Sequence, residues 1–458
     1  MAAAVTSLPL AACGGGGASG GAGDDGGTSS SGGDDATGGG HDATATDSGH
    51  DAAAGDTGSG GGDASTDATS GSSSGGGDAA SGGDAVFSFD GFAHLDGYSE
   101  SSYCPDDDHD GWTVCGGDCN DHDSLVNPCA FDTNDPTDPV GTDGIDNDCD
   151  GTVDNLVTCE NGLTAGHDTN AADYAYASDL CNNPRCQRLV AATWYGPNTQ
   201  NARRITGHMG SGAQFKPHQG SLMSFLSTGT ADDDVDTASY LTCPGTDFGA
   251  TFTNPMPLPK AQNVNPCNTG VDESTVSVHD YTELRMTVQA PSNAGSYTFD
   301  FAFFSEEYPV YVCQGYNDTF LAIQTSQQFP GGQQIAYDAN VHRINVNNAF
   351  FQDCNTCSNC VPGYTFTVTC NANSLQLLNG TSYEKLLGPS SAPTSQCNLS
   401  HGSGGTDWLK TTSPVVPGEQ FTLSWIVFDE HDGILDSAVI LDHFHWHSTT
   451  LGSPVTGR

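Results

Sequence analysis

Apolar and polar residues alternate in several runs of the chain from about residue 158 onward. β-Branched and aromatic residues recur there with a period of two, between Gly, Pro, Asn and Asp, over residues 297–304, 319–323, 364–368, 421–428 and 438–441. Such alternation is typical of β-strands. Helical patterns are weak, with one candidate at 170–180 after a cap at Asp168. We therefore expect a mainly β fold in which residues 160–452 form a large, jelly-roll-like β-sandwich.

Residues 13–95 carry no such pattern. They consist almost entirely of Gly, Ser, Ala, Asp and Thr, with no aromatic residue before Phe87. A segment of this composition cannot bury enough apolar surface to offset the entropy lost on ordering. We predict a disordered tether, which its negative charges extend.

The first residues end in Leu10-Ala11-Ala12-Cys13, which resembles a bacterial lipobox, where a signal is cleaved and the cysteine carries lipid. Signal peptides begin with basic residues, and none is present, so we expect a truncated lipoprotein signal at residues 1–12. A chance match in an Ala-rich start is the alternative. Since no other stretch approaches the ~20 apolar residues of a membrane span, lipid on Cys13 would be the membrane attachment. This predicts an exported protein at the outer membrane or cell surface, with release to the medium as an alternative.

Charge and cysteine content narrow the possible partners. The net charge is -46, with 57 acidic and 11 basic residues, which excludes nucleic acid and anionic membrane surfaces and favours cations. Of the 17 cysteines, 16 remain without Cys13, and in an exported protein they favour disulfides of unresolved connectivity. The spacing of Cys354, Cys357 and Cys360 leaves zinc or iron–sulfur ligation as an alternative. The disulfide candidates are Cys104, Cys115, Cys119, Cys129, Cys149, Cys159, Cys181, Cys186, Cys243, Cys267, Cys313, Cys354, Cys357, Cys360, Cys370 and Cys397.

The acidic module, residues 99–159, combines cysteines with Asp, Asn and Gly and has few large apolar residues, so it needs disulfides or bound metal for stability. Two of its runs place Asp at positions 1, 3 and 5 and Gly at position 6, a spacing with which loops wrap Ca²⁺. Neither run has the Glu that a full EF-hand carries at position 12, and both resemble the short calcium loops of thrombospondin type 3 repeats. Solvated acidic loops are the alternative. The predicted ligands are Asp106, Asp108, Asp110, Asp118, Asp121, Asp123, Asp146, Asp148, Asp150 and Asp154.

The order of these motifs, from Asp106–Cys119 through Val126-Asn127-Pro128 to Asp143–Asp154, resembles the MopE-type metal-binding repeat over about residues 104–155. That repeat is common in secreted myxobacterial and related proteins, and the resemblance implies a bound metal. Carboxylate oxygens favour Ca²⁺, whereas Cu²⁺ prefers imidazole and sulfur. His109 and Trp112 leave Cu²⁺ as the less favoured alternative. Cys149, at an even position of its loop, is expected to point away from the ion and to form a disulfide.

A second ordered set of motifs resembles the choice-of-anchor L domain over about residues 185–447. That domain is a bacterial surface module found with various anchoring signals, and the resemblance implies a secreted or surface-attached β protein without an assigned enzymatic activity. The motifs lie at residues 226–229, 304–309, 316–320, 346–348, 405–409, 414–419, 428–437 and 441–446.

Two further groups could hold metal. Glu306 or Glu307 with Asp318, Asp429 and Asp436 lie at strand ends, where buried carboxylates need hydrogen bonds or a cation, and we predict a Ca²⁺ site there, with strand capping as the alternative. Alternate histidines on a strand share one face, and this spacing could hold Zn²⁺ or Cu²⁺, although a histidine face at the surface is favoured. These histidines are His443, His445 and His447.

Catalytic motifs find little support in the sequence. Glu306 and Glu307 are adjacent, so on a strand they would point to opposite faces and could not act as a glycosidase pair. We expect a noncatalytic, lipid-anchored surface protein whose calcium loops and β-sandwich serve adhesion or cell-envelope interaction with a surface or matrix ligand of unknown identity. The alternatives are a secreted hydrolase with structural Ca²⁺ and a copper-binding surface protein.

Overall fold

The described part of the chain belongs to one compact unit, Phe92–Arg458. The computed structural model describes residues 104–183, 185–196, 200–210, 215–231, 277–309, 311–312, 316, 318–347, 350–354, 357–358, 367–368, 370, 378, 381, 383 and 403–458. The expected signal, Cys13 and the tether at 13–95 lie outside these residues. So do Cys243, Cys267, Cys313, Cys360 and Cys397.

Strands dominate the described residues, which confirms the mainly β prediction. A short helix, α1 (Ala171–Ala177), and two 3₁₀ turns, Val114–Gly116 and Gln200–Ala202, accompany them. The strands are β1 (Leu189–Tyr195), β2 (Arg203–Thr206), β3 (Met223–Ser227), β4 (Val278–Gln289), β5 (Ser296–Ser305), β6 (Thr319–Thr325), β7 (Gln333–Gln334), β8 (Ile344–Asn345), β9 (Cys357–Ser358), β10 (Thr367–Val368), β11 (Gly404–Gly405), β12 (Leu409–Pro414), β13 (Gln420–Glu430), β14 (Ser437–His447) and β15 (Val455–Gly457).

The strands form two antiparallel sheets that pack as a sandwich. Within the described residues, one sheet has the order β1-β4-β13-β6-β7 with β8 beside β6, and the other has the order β15-β12-β5-β14-β3-β2 with β11 beside β5. The short β9 and β10 pair separately. Neighbours in each sheet are mostly distant in sequence, so the hydrophobic pattern rather than hairpin turns determines which faces meet.

The core lies between the sheets and is rich in aromatic residues. Phe299 of β5 packs on Trp425 of β13 with ring centroids 5.4 Å apart, and Phe301 packs on Phe320 of β6 at 4.8 Å. The intervening residues of β5, such as Phe304, belong to a second apolar cluster on the opposite face of the same sheet. β5 is therefore buried on both faces, which explains why its sequence reads as a nearly continuous apolar run.

The strands predicted at 297–304, 319–323, 421–428 and 438–441 and the predicted helix are found with adjusted ends, whereas residues 364–366 of the strand predicted at 364–368 lie outside the described residues. The helix begins at Ala171, and its N-cap is Asn170, whose side chain accepts the N–H of Ala172, rather than the predicted Asp168. Asp168 instead accepts the N–H of Asn170 at 2.7 Å. β14 continues through the histidine-rich end of its run to His447, because the apolar residues between the histidines face the core.

The acidic module packs directly on the sandwich. Asn293 donates to the carbonyl of Phe131 at 2.9 Å and accepts the N–H of Phe131 at 2.8 Å. A disulfide joins Cys129 to Cys186, and the guanidinium of Arg188 donates to Ala130 O at 2.7 Å. Further disulfides in the described residues are Cys104–Cys115, Cys119–Cys149, Cys159–Cys181 and Cys354–Cys370.

No helix among the described residues combines the length and the apolar character needed to cross a bilayer.

Candidate metal sites

The two acidic loops fold with the same hydrogen bonds. In the first loop the Asp106 carboxylate accepts the N–H of Gly111 at 3.2 Å, and in the second the Asp146 carboxylate accepts that of Gly151 at 2.9 Å. The aspartates at positions 3 and 5 each accept the N–H two residues further on, at 2.7–3.2 Å. Gly111 and Gly151 have φ of 92° and 98°, a region that glycine adopts without steric cost. The repeated spacing is therefore a repeated conformation.

The first loop leaves several carboxylate oxygens buried without partners. Among the described residues, Asp108 Oδ2, Asp110 Oδ2, Asp118 Oδ2 and Asp121 Oδ1 are buried and accept no hydrogen bond. Ligand atoms of Asp106, Asp108 and Asp110 lie within 4.8 Å of one another. Burial raises the pKa of Asp110 and Asp118, and the negative charge of Asp108 raises both further. Such a group of carboxylates is costly unless a cation or protons neutralise it.

The second loop gathers a similar set and adds a member from outside the motif. Asp132, Asp146 and Asp148 each offer a ligand atom within 4.8 Å of the other two. Asp132 Oδ2 and the side-chain oxygens of Asn147 and Asn155 are buried and accept no hydrogen bond within the described parts of the chain. Burial raises the pKa of Asp132 to about 6. Burial, together with the neighbouring carboxylates, raises the pKa of Asp148 to about 6 as well.

The donor atoms of both loops suit a hard cation. Ca²⁺ accepts six to eight oxygens from carboxylates, amides, carbonyls and water in flexible geometry, and carboxylate and amide oxygens are what these loops present. Sulfur donors are excluded there because Cys119 and Cys149 form a disulfide. Cys149, at an even position of its loop, forms a disulfide as expected, and the bridge to Cys119 connects the second loop to the segment that follows the first.

Two of the predicted ligands make local hydrogen bonds instead. Asp123 is exposed, and its carboxylate accepts the N–H of Leu125 at 3.2 Å. The carboxylate of Asp154 accepts the N–H of Gly144 at 3.2 Å, which closes the base of the second loop. These two carboxylates are thus placed to support the loop backbones.

The acidic group predicted in the sandwich is buried, and its members influence one another. Glu306, Asp318, Asp429 and Asp436 are all less than 9% exposed, and Ser437 Oγ donates to Asp318 Oδ2 at 2.5 Å. Burial raises the pKa of Asp429 well above its ordinary value, and the neighbouring carboxylates, Asp318 foremost, raise it further. The group is not among those whose ligand atoms lie within 4.8 Å of one another. A Ca²⁺ site here stays a prediction.

The three predicted histidines lie beside one another, but they belong to two different clusters of potential metal ligands. Ring centroids of His443 and His445 are 6.0 Å apart, and those of His445 and His447 are 4.9 Å apart. His445 and His447 each offer a ligand atom within 4.8 Å of Asp135 in the acidic module, whereas His443 belongs to a different group. Burial, with the charges of its histidine neighbours, lowers the pKa of His445 to about 4. His447 Nδ1 lies 3.3 Å from Asp138 Oδ2, so the module covers this part of the row.

Sequence reasoning missed four residues of these clusters: Asp132 beside the second loop, Asp135 beside His445 and His447, and the two residues grouped with His443, which are His218 and Asp300. Asp132 has no diagnostic spacing around it, and His218 lies in a loop without a motif. Asp300 offered one signal, because it is a charged residue inside the apolar run of β5, where a buried carboxylate needs a partner.

The fold and these sites define the class of the protein, a disulfide-bonded β-sandwich bearing metal-type donor clusters. A model of the choice-of-anchor L domain matches residues 177–445, which is more than half of the chain. The chain therefore belongs to the choice-of-anchor L family, which indicates a cell-surface protein.

Comparison with curated proteins gives no match. Among solved structures, the structure of TmCBM61 in complex with β-1,4-galactotriose shares 9% identity, with 57% of this chain and 89% of that chain covered and a TM-score of 0.19. At this TM-score the superposition carries no functional argument.

Proposed function

We propose that this chain is a noncatalytic surface protein whose acidic module binds Ca²⁺ and whose β-sandwich contacts a surface or matrix ligand. One observation carries the calcium proposal. Two loops with the same hydrogen-bond pattern leave buried carboxylate oxygens without partners, among them those of Asp118 and Asp132, which are 4% and 5% exposed. The resemblance of the module to the MopE-type repeat supports bound metal in the same segment.

The loops are prepared for an ion by their own backbone. In each, one carboxylate oxygen of the third and of the fifth residue is held by an N–H two residues further on, which orients both side chains before any ion arrives. Bound Ca²⁺ would supply the positive charge that the converging carboxylates lack. Repulsion among these carboxylates destabilises the folded module without an ion. Relief of that repulsion would contribute to the free energy of Ca²⁺ binding.

Ion binding would affect more than the loops, because the module is attached to the sandwich. Asp148 Oδ2 of the second loop accepts a hydrogen bond from Asn183 Nδ2 at 2.9 Å, and Asn183 lies beside the Cys129–Cys186 disulfide. We therefore assign Ca²⁺ the function of ordering the module against the domain it is joined to.

Thermal melting of the purified full-length protein tests the calcium proposal. After EDTA treatment, millimolar Ca²⁺ should raise the melting temperature, since a ligand at 100 times its Kd stabilises the folded state by about 2.7 kcal/mol. Asp118→Asn should reduce the shift. The matched control is Asp107→Asn, an exposed neighbour at position 2 of the loop and so outside positions 1, 3 and 5, which should leave the shift unchanged. A melting temperature that does not respond to millimolar Ca²⁺ would refute the proposal, and a response to Cu²⁺ alone would favour the copper alternative.

The lipid anchor is proposed from the Leu10–Cys13 motif and has its own test. Cys13→Ser should move the protein from the membrane fraction to the soluble fraction and abolish incorporation of labelled fatty acid. Ser48→Ala, in the same tether and outside the motif, is the control. Unchanged membrane partition of the Cys13 variant would refute anchoring at this residue.

A further inference from the structure

We propose that His218, Asp300 and His443 form a transition-metal site that binds Zn²⁺ with an open coordination position. These residues come from three separate segments: a loop before β3, the middle of β5 and the end of β14. One ligand atom from each lies within 4.8 Å of the other two. Two imidazoles and a carboxylate are a donor set that catalytic and other open zinc sites use.

The distances between the ligand atoms are slightly shorter than an ion would require. His218 Nδ1 lies 2.7 Å and His443 Nδ1 lies 3.1 Å from the same oxygen, Asp300 Oδ2. A tetrahedral ion with bonds of about 2.0–2.1 Å separates its ligands by roughly 3.3 Å, so a small outward movement of one imidazole admits the metal.

Hydrogen bonds between the three side chains alone are the competing explanation. In that arrangement both imidazoles would donate to Asp300 Oδ2, while Asp300 Oδ1 accepts no hydrogen bond among the described residues and lies 3.8 Å from Lys410 Nζ in an ion pair. A carboxylate that only accepted hydrogen bonds would be expected to use both oxygens, particularly at 3% exposure. The two imidazoles and this oxygen bring three ligand atoms within 4.8 Å of one another, as shared coordination of one ion requires.

Backbone features hold the two histidines in place. The pairing of β14 with β5 is interrupted between Asp442 and His445, and His443 at this irregularity has φ of 53°. The N–H of His443 donates to Asp179 Oδ2 at 3.2 Å, and the N–H of His218 donates to Asp442 Oδ2. Supporting hydrogen bonds of this kind fix ligand orientation, which pre-organised metal sites need. β-Bulges are often found where a strand changes the direction of a side chain.

An open cavity of about 290 Å³ adjoins the cluster and provides the free coordination position. His218, Asp300 and His443 line it together with Trp408, whose ring lies 4.4 Å from that of His218. Lys410 and Arg458 also line it, in a chain with only 11 basic residues. A ligand with an anionic oxygen donor fits this position, because the oxygen would bind the metal while the two cations face its charge.

Calorimetric titration of the full-length protein with Zn²⁺ tests the site, with millimolar Ca²⁺ present to occupy the acidic loops. We expect one Zn²⁺ per chain, and Co²⁺ should give the visible absorption of a four-coordinate ion. His218→Gln and Asp300→Asn should each weaken Zn²⁺ binding by more than about 100-fold, since losing even a residue that only hydrogen-bonds to a ligand costs about 10–100-fold. His218 is the better variant because its side chain is partly exposed, whereas that of Asp300 is buried, so its substitution should disturb folding less.

His342→Gln is the matched control, because His342 Nδ1 pairs with Asp338 Oδ2 at 3.0 Å without a second histidine. It should bind Zn²⁺ like the wild type. Equal binding by His218→Gln and wild type would overturn the proposal. So would loss of binding in His447→Gln but not in His218→Gln, which would assign the ion to the Asp135 cluster. Absence of stoichiometric binding at 100 µM Zn²⁺, about the weakest affinity a built site should have, would also overturn it.

Discussion

At the level of single residues, the aspartates of the acidic loops divide their two oxygens between two tasks. Asp110 Oδ1 accepts the N–H of Trp112 at 2.7 Å and shapes the turn, while its Oδ2 is buried without a hydrogen bond among the described residues. The same side chain thereby builds the loop and repels its neighbours. A cation removes the repulsion, so the loop is stable only to the extent that it is neutralised.

This arrangement predicts an unusual pH dependence. The pKa of Asp132 and of Asp148 is raised to about 6 in the folded protein, above the ordinary value of 3.8. Because the protonated form is favoured in the folded state, the metal-free protein should lose stability as pH rises from about 4 to 6. In saturating Ca²⁺ the part of this loss that comes from Asp132 and Asp148 should disappear, because the ion keeps both carboxylates ionised in the folded state across this pH range. Urea unfolding from pH 4 to 7, with EDTA or Ca²⁺, measures both.

Substitution of Asp132 by Asn should show how the charge of this side chain, rather than its shape, affects stability with and without Ca²⁺. Asp132→Asn removes a buried charge, so it should stabilise the metal-free protein and destabilise the Ca²⁺-loaded protein. The melting temperatures of variant and wild type should therefore cross as Ca²⁺ is added. Asp135→Asn, in the same segment but outside the loop cluster, should show no crossing. Parallel curves for Asp132→Asn would show that this carboxylate is not a ligand.

At the level of elements, β5 is the strand on which the sandwich depends. It is buried along its whole length and pairs with both β12 and β14. Its alternate residues contribute to the core between the sheets and to the cluster on the outer face. The period-two pattern predicted this strand, but the burial of its second face depends on loops that cover it.

Truncation in β5 should be costly. Phe303 is fully buried and makes an edge-to-face contact with Phe351 at 5.7 Å. Phe303→Ala should lower the free energy of unfolding by about 3–5 kcal/mol, through lost burial and a residual cavity. Ile434→Ala, at a side chain that is 50% exposed, should cost less than about 0.5 kcal/mol. Denaturant unfolding monitored by tryptophan fluorescence compares the two, and similar losses would contradict this placement of the core.

At the level of the whole molecule, the acidic module is attached to the sandwich at several points along its length. Besides the Cys129–Cys186 disulfide, Asp138 accepts hydrogen bonds from the N–H and hydroxyl of Ser448 at 3.1 and 2.6 Å. Burial would raise the pKa of Asp138, but hydrogen bonds from His447 and Ser448 outweigh it and lower the pKa to about 2. The negative charge of Asp138 is therefore retained throughout the ordinary pH range.

Removing the disulfide between module and sandwich should be more harmful than removing one inside the module. The Cys129–Cys186 bridge closes 57 residues and the Cys104–Cys115 bridge closes 11. Chain-entropy arguments give about 4 and about 3 kcal/mol of stabilisation respectively. Double Ser variants should follow this order in urea unfolding. The reverse order would indicate that residues 104–115 contribute more to the fold than their position suggests.

What the sequence determined by itself is local. The period of two predicted strands, because alternate residues of an extended chain face opposite sides. The Asp-x-Asp-x-Asp-Gly spacing predicted the conformation of the loops, because their hydrogen bonds span only 2–5 residues. Family motifs spread along residues 185–447 identified the domain before any contact was known.

Only the tertiary structure determines which residues that are distant in sequence come into contact. Asp132 completes the second loop from outside its motif, and Asp300 meets His218 and His443 across 82 and 143 residues of chain. The hydrophobic pattern of the sequence does not predict these contacts, because they depend on the order of the strands in the sheets and on the irregularity in β14. The histidine row shows both contributions: alternation placed the three rings on one face, and the packing of the acidic module and of β5 divided them between two sites.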